Sequence, residues 1–377
     1  MKNEYEIAIV GGGLAGLCLS IQCADAGYNC ILFEKEAYPF HKVCGEYISN
    51  ESLPFLEKLG VPITLWNLPS INELKISSPN GKGYLFPLSL GGFGVSRFKL
   101  DQFLYHLAIS KGVEIFTNTK VQDIHFLEDH FEIKTDKETY HSKLAAGSFG
   151  KRSNLDIRMS RPFAKKRPHA LNNFIGVKYH IKYNHPREQV ALHNFKDGYC
   201  GIEEIENGEC CLCYLTTAEN LKKSNNSIPE MEENILWKNP QLKEIFENAQ
   251  FIYDKPLVIS QISFQSKSQV ENHVLCIGDA AGMITPLCGN GMSMAMHGSK
   301  IAFQNIDYYF KNGRNRLALE KGYEQQWKKQ FANRVFLSKI IQRFFGNEHI
   351  TNFFLYFLKK IPLINRKLIS STHGNPF

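Results

Sequence analysis

The sequence predicts an α/β fold: a parallel-sheet domain, an antiparallel sheet inserted into it, and a helical tail. Three observations predict it. A short apolar run, Ile7-Ala8-Ile9-Val10, leads straight into the glycine loop Gly11-Gly12-Gly13-Leu14-Ala15-Gly16 and then into a helix. Between Asn173 and Phe264 the pattern changes to alternating apolar and polar residues. At Val274 to Ile277 the buried-strand pattern returns, so the chain leaves its first domain, builds a sheet elsewhere and comes back.

At 377 residues the chain is too long for one simple core and suits two connected domains. Apolar residues make up 43% and charged residues 21%, a balance that excludes a disordered chain or a collagen. The ten cysteines are scattered, which is no disulfide framework. Their tight group, Cys210-Cys211-x-Cys213, has no matching CxxC or HxxxH partner, so no metal site is expected. Free thiols in that number indicate a reducing compartment, and a chain that opens almost directly on a strand shows no signal peptide. The cytoplasm is the expected home.

The net charge of +7 is uneven. From Gln326 to Phe377 nine Lys and Arg face one acid, Glu348, so this tail carries +8 and the first 325 residues carry −1. That distribution argues against a nucleic-acid-binding surface. A monomer or dimer is expected.

In order, Ala15 to about Ala26 reads as a helix with Leu17, Ile21 and Ala24 inward, stopped by Gly27. Cys30-Ile31-Leu32-Phe33 is a second buried strand. Asp101 to Lys111 is an amphipathic helix, and 120–126, 131–135 and 144–146 are further strands. In the insertion, 174–182, 189–195, 199–205 and 209–216 alternate in antiparallel style, with Asn207-Gly208 as a hairpin turn. A helical stretch, Pro229 to Ala249, and a strand, Leu257 to Phe264, complete it. The expected boundaries are 1–75, 100–165 and 270–325 for the first domain, 76–99 and 166–269 for the insertion, and 326–377 for the tail.

The glycine loop carries a GxGxxG on Gly11, Gly13 and Gly16. It follows a strand, opens a helix and is answered by Glu34 at the end of the next strand, the pattern of a dinucleotide-binding unit. Gly11 allows the tight turn, Gly13 lets backbone approach a pyrophosphate, and Gly16 lets helix and strand pack closely. The helix N-terminus offers N–H donors to the phosphates, with Ala15 in its first turn. Glu34 is placed for the adenosine ribose, and Lys35 follows it into the same site.

A second motif selects the cofactor. Val274 to Ile277 ends in Gly278-Asp279-Ala280-Ala281-Gly282, followed by Pro286 and by Gly289-Asn290-Gly291-Met292 opening a helix. An NAD dehydrogenase has no use for this element, whereas a flavoprotein does. Asp279 can bond a ribityl hydroxyl, and the helix from Gly291 can point N–H groups at the flavin N1/O2 edge, favouring the anionic reduced ring. The cofactor expected is FAD.

The glycine motif with Glu34, the middle segment Ser96-Arg97-Phe98-Lys99-Leu100-Asp101 and the late GDAAG-x₃-P-x₂-GxG together resemble the p-hydroxybenzoate hydroxylase and geranylgeranyl reductase superfamily. The resemblance spans about residues 5 to 325. It implies a Rossmann-like FAD-binding domain with an inserted antiparallel-sheet substrate domain. It further implies that Arg97 contacts the cofactor, that the Val121 backbone lies by the adenine, and that NAD(P)H is the reductant. Two departures stand out. Phe149 occupies the place of an acid common in hydroxylases, which leaves the nicotinamide site open. The GDAAG, with Lys42-Val43-Cys44-Gly45-Glu46, is closer to the reductase branch, whose similar Cys-Gly segment lies beside the flavin. Cys44 is either a functional thiol there or a small buried residue.

Two enzymatic readings follow. In a flavin monooxygenase a hydrophobic aromatic substrate, phenolic or polyketide-like, needs only a dry pocket and correct placement. In a geranylgeranyl-reductase-like enzyme a prenyl double bond receives hydride, and Cys44 or Glu46 supplies the proton. The monooxygenase is preferred. Halogenation ranks lower, because Trp66, Trp237 and Trp327 form no WxWxIP-type motif, and a non-catalytic flavin-binding module ranks last. Tyr199, Cys211 and Cys213 either line an apolar substrate pocket or belong to ordinary sheet core. The tail repeats Phe331, Val335, Ile341, Phe344 and Phe345 at helical spacing before Phe353 to Leu358 and Lys359-Lys360. It reads either as helices packed on the FAD-binding domain or as a peripheral contact with the inner face of a membrane.

Overall fold

The structure, a computed structural model, describes residues 4–165, 173–313, 315–361, 365, 368 and 371–377. The expected start of the insertion, 166–172, and Arg366 and Lys367 of the basic tail lie outside the described residues.

The first sheet is built around Glu4–Val10. Ile9 stands opposite Leu32 on one side and Ala146 on the other, both in parallel register. Val274–Cys276 adds beyond Thr139–Gly147, again parallel, with Leu275 opposite Ala146. Burial on both faces explains the continuous apolar run. Ile7, Ile9 and Leu32 pack toward the helices Leu14–Asp25, Arg97–Ser110 and Gly291–Lys311. Ala8, Val10, Ile31 and Phe33 pack toward Val121, Ile124, Phe131 and Ile133 of a hairpin on the opposite face.

The second sheet is mostly antiparallel, as the alternation predicts. Between Gly198–Glu204 and Cys210–Thr217 the chain turns at Asn207 (φ 62°) and Gly208 (φ 72°), the paired positive values that the Asn-Gly signal demands. Ile175, Val177, Tyr179, Leu212 and Tyr214 pack under the helices Ile228–Ile235 and Pro240–Asn248. The expected single helix over 229–249 is therefore two, because Asn239 caps a new start and Pro240 opens it. The alternate residues face the first domain in rows, with Phe174 opposite Thr217, Lys178 opposite Cys213 and His180 opposite Cys211.

Three further elements differ from expectation. Tyr47–Ser49 and Ser70–Ser77 belong to the second sheet, upstream of the boundary expected at residue 76. Ser70–Ser77 pairs with Gln189–Phe195, more than a hundred residues away, which no local pattern reveals. The helix expected from Asp101 begins at Arg97, because the Ser96 hydroxyl accepts the N–H of Lys99. The tail divides its contacts. Arg316–Gln342 packs on Gly291–Lys311 of the first domain, whereas Leu355 and Leu358 of Glu348–Lys360 pack on Ile76, Tyr84 and Phe86 of the second sheet. No helix among the described residues is long and apolar enough to cross a membrane.

Candidate functional site

The two glycine motifs meet. A Cβ on Gly278, whose φ is +59°, would lie 3.0 Å from the Ala15 side chain, so the late loop is laid directly against the first turn of the Leu14–Asp25 helix. Gly16 is required because a Cβ there would overlap the Gly11 carbonyl. Gly13 differs: a Cβ there would meet only the Lys42 ammonium at 3.7 Å and an Arg97 nitrogen at 3.8 Å. A glycine loop with two cations over it and a helix N-terminus beneath is a cradle for a pyrophosphate.

Those cations are placed by Asp101. The Arg97 guanidinium donates to both Asp101 oxygens at 2.8 and 2.7 Å, one helical turn away, and the Lys42 ammonium donates at 3.1 Å. Burial alone would raise the Asp101 carboxyl, but Arg97 and Lys42 overcome it and hold it below its ordinary value. Glu34 is buried and accepts N–H bonds from Gly12 at 2.8 Å and Glu36 at 3.2 Å, which fixes the end of the second strand against the loop. Lys35 turns away, exposed and paired with Glu36. Val121 is buried just after Thr119, whose N–H bonds the Glu34 carbonyl. Lys42 and the cap at Ser96 were not legible as binding features, since each acts through Asp101 or the helix start.

The late loop is held by side chains that no motif announces. Lys267 donates to the Asp279 carbonyl at 2.8 Å, Arg161 to the Ala280 carbonyl at 2.9 Å and Gln269 to the Ala281 carbonyl at 3.0 Å. Arg161 is fully buried and paired with Asp156 at 2.9 Å. Burial lowers the Lys267 ammonium to about 8. Pro286 begins the next turn, and Gly289 leaves it with φ +62°, beneath the Tyr47 ring. The Gly291–Lys311 helix has no side-chain N-cap, while Asn290 Oδ1 and Ser293 Oγ, flanking its first residues Gly291 and Met292, are buried without a partner. Free donors and orphaned polar atoms at one helix start fit a flavin edge with its own donors and acceptors.

Cys44 and Glu46 lie where the first domain meets the second sheet. Glu46 is fully buried, pairs with the Lys178 ammonium, has His180 Nε2 at 2.7 Å and accepts the Arg97 backbone N–H at 2.7 Å. Burial would raise its carboxyl, yet Lys178 and His180 pull it down to about 2. Glu46 is therefore an anion at neutral pH and a joint between domains. Glu46, His180 and Cys211 come within 4.8 Å of one another, but the Lys178 ammonium already supplies a cation there. The Cys44 side chain lies near Arg97, and the Cys44 carbonyl accepts from the Cys211 thiol at 3.3 Å.

Beyond that joint, the same sheet face becomes a cavity of about 570 Å³. Phe163, Phe174, Leu215, Phe264 and Phe345 line it, Thr285 connects it to the late loop, and Lys339, Gln342 and Arg343 close it from the end of the long tail helix. Tyr199 lines it too. Its hydroxyl is buried without a partner, and burial near Cys213 and Cys288 raises it well above its ordinary value, so it remains a neutral donor. Of the three expected substrate residues, Tyr199 reaches this cavity, while Cys211 turns to the Cys44 loop and Cys213 lies near it.

The FAD binding domain family matches residues 4–306. The chain is 22% identical over 370 residues to conditioned medium factor receptor 1 of Dictyostelium discoideum, covering 91% of this chain and 71% of that protein. It is 22% identical over 365 residues to digeranylgeranylglycerophospholipid reductase of Methanococcus vannielii, covering 92% and 89%. A flavin-dependent brominase superposes with a TM-score of 0.79 at 20% identity, covering 98% of this chain and 94% of that one.

Proposed function

The chain belongs to the FAD binding domain family and is an FAD-dependent enzyme of the oxidoreductase type, and on that premise we propose that it is a monooxygenase acting on a hydrophobic aromatic substrate. When bound and reduced, FAD would supply the electrons that activate dioxygen. Lys42 and Arg97 would neutralise its pyrophosphate, and the Gly291 helix start would offer N–H groups to the flavin edge. The observation that carries the reading is the aromatic cavity opening at Thr285, one residue before Pro286 of the late loop. Its Phe walls suit an apolar ring, and the unpartnered Tyr199 hydroxyl can orient a substrate oxygen. Oxygen transfer to an electron-rich ring asks for no strong acid from the protein, and Glu46 is held ionised.

The second reading, reduction of a prenyl double bond, is favoured by Cys44, which lies near Arg97, and by the archaeal reductase among the relatives. With Glu46 anionic, Cys44 would have to deliver the proton. The likeness to a brominase brings halogenation in as a third outcome.

The test is NAD(P)H consumption by purified protein with a phenolic lipid and then a polyprenyl lipid, in air and without oxygen, with and without bromide. Oxygen-dependent formation of a hydroxylated phenol supports the reading. Anaerobic saturation of the polyprenyl chain would replace it with reduction, and bromide-dependent bromination would replace it with halogenation. If NAD(P)H is not consumed, an added flavin reductase tests the direct nicotinamide step, which Phe149 leaves without its usual acid.

A further inference from the structure

The cavity is not uniformly apolar. Lys339 and Arg343 stand one turn apart at the end of the Arg316–Gln342 helix, and both line it. Among the described residues neither has an ion-pair partner. Two like charges at this spacing repel, and a helix C-terminus welcomes cations without requiring both to turn to one cavity. Asp197 is the acid on the same rim among the described residues; it is exposed and pairs with neither. Gln342 Oε1 is buried beside them without a partner. The Tyr199 hydroxyl, which lines the same cavity, is also buried without a partner. Phe163, Phe174, Leu215, Phe264 and Phe345 supply the apolar walls.

We propose that the substrate is an anionic amphiphile, whose carboxylate or phosphate is bound by Lys339 and Arg343 while its apolar body lies along the phenylalanines. An ammonium and a guanidinium on one helix face suit a two-oxygen anion, because the guanidinium fork binds it bidentately and the ammonium adds a point charge. The proposal rests on the cavity being the substrate site, as the proposed function holds.

The experiment is calorimetric titration of the FAD-loaded protein with dodecanoate, dodecyl phosphate, dodecanol and inorganic phosphate. Both acids should bind tighter than dodecanol by at least about tenfold, the value of one or more charge-assisted hydrogen bonds. Inorganic phosphate alone should not compete at the same concentrations. Lys339→Gln/Arg343→Gln should erase the preference and leave dodecanol binding unchanged. Equal binding of acid and alcohol, or a preference that survives the double substitution, overturns the anionic subsite. So does inorganic phosphate binding as well as dodecyl phosphate. Leu215→Trp fills the cavity and should abolish binding of all three amphiphiles; Thr217→Trp serves the same purpose at the rim if Leu215→Trp does not fold. Unaltered binding in a folded blocking variant removes the cavity as the site and takes the proposed substrate reading with it. Equal acid and alcohol binding that the blocker abolishes leaves that reading standing and removes only the anion.

Discussion

The Lys178 ammonium and the Glu46 carboxylate form an ion pair that joins the second sheet to the loop behind the first sheet, with both side chains almost wholly enclosed. Removing Lys178 leaves the buried Glu46 carboxylate without its cation, with only His180 and the Arg97 N–H beside it. Lys178→Met should therefore cost about 3–5 kcal/mol in urea unfolding, whereas Lys178→Met/Glu46→Gln should recover at least half of it. A single substitution that costs under about 1 kcal/mol would mean that water reaches the pair.

Over the glycine loop, Lys42 and Arg97 share Asp101, but Arg97 binds it with two donors and Lys42 with one. Lys42→Met thus removes a phosphate cation while leaving Asp101 paired. Its FAD dissociation constant, read from flavin fluorescence on dilution, should rise about tenfold. The exposed Lys35 provides the comparison: Lys35→Met should change it by less than about threefold. Equal effects would remove Lys42 from the pyrophosphate.

Gly278 and Gly27 separate close approach from backbone conformation. Both have positive φ, but a Cβ on Gly27 meets nothing within 4 Å while one on Gly278 meets Ala15. Gly27→Ala should cost about 1–2 kcal/mol of stability and leave FAD affinity intact. Gly278→Ala should in addition loosen FAD, because the late loop must move off the helix. If both variants bind FAD like the parent, the contact between the two motifs does not shape the site.

What the sequence shows and hides follows from range. The glycine loop, Glu34 and the late Gly-Asp are local patterns, with residues at fixed short spacing, and their meeting follows once both strands join one parallel sheet. Arg161, Lys267 and Gln269 read as ordinary polar residues, because their partners are backbone carbonyls whose position depends on the whole fold. The expected boundary at residue 76 cuts through Ser70–Ser77 for the same reason: its partner strands define it, and one begins at Gln189. Glu46 was legible as an acid in a suggestive segment, but its charge state depends on Lys178 and His180, 132 and 134 residues away.

Buried imidazoles set an acid limit. Burial holds His193 at about 3 and His297 at about 4, both well below an exposed histidine. Between pH 6.5 and these values the unfolded chain takes up protons that the folded chain refuses, so stability falls as pH falls through that window. Glu232 works the other way. Burial raises it to about 7, so from 7 down to about 4.5 the folded chain holds a proton that the unfolded chain gives up. His193→Gln removes one histidine slope, so the variant should lose about 1 kcal/mol less per pH unit between pH 6 and 4 than the parent. Parallel stability curves would show that His193 is protonated without unfolding.

The tail carries the last expectation. Leu355 and Leu358 of the Glu348–Lys360 helix are buried on the second sheet, whereas Phe353 is 73% exposed and Tyr356, Phe357 and Ile350 are exposed beside it. Phe344, Phe353, Phe354 and Phe357 surround a shallow apolar hollow, and Lys359 and Lys360 close the same helix. Phe354 also touches Phe345, a wall of the 570 Å³ cavity, at a ring separation of 5.8 Å. Packing of one helix face leaves the aromatic face without protein cover among the described residues. An anionic bilayer surface fits it, since the phenylalanines can enter the headgroup region while the lysines meet lipid phosphates. We therefore expect the protein to sediment with anionic but not neutral vesicles, and to be released by salt. Phe353→Ser/Phe357→Ser should lower binding at every salt concentration, and Lys359→Glu/Lys360→Glu should lower it mainly at low salt. Each basic residue at the surface is worth about 1 kcal/mol, so the charge reversal should weaken binding by more than tenfold. Protein that stays in the supernatant with both vesicle types at low salt would mean that this face meets no membrane, and that an amphiphilic substrate enters the cavity from solution.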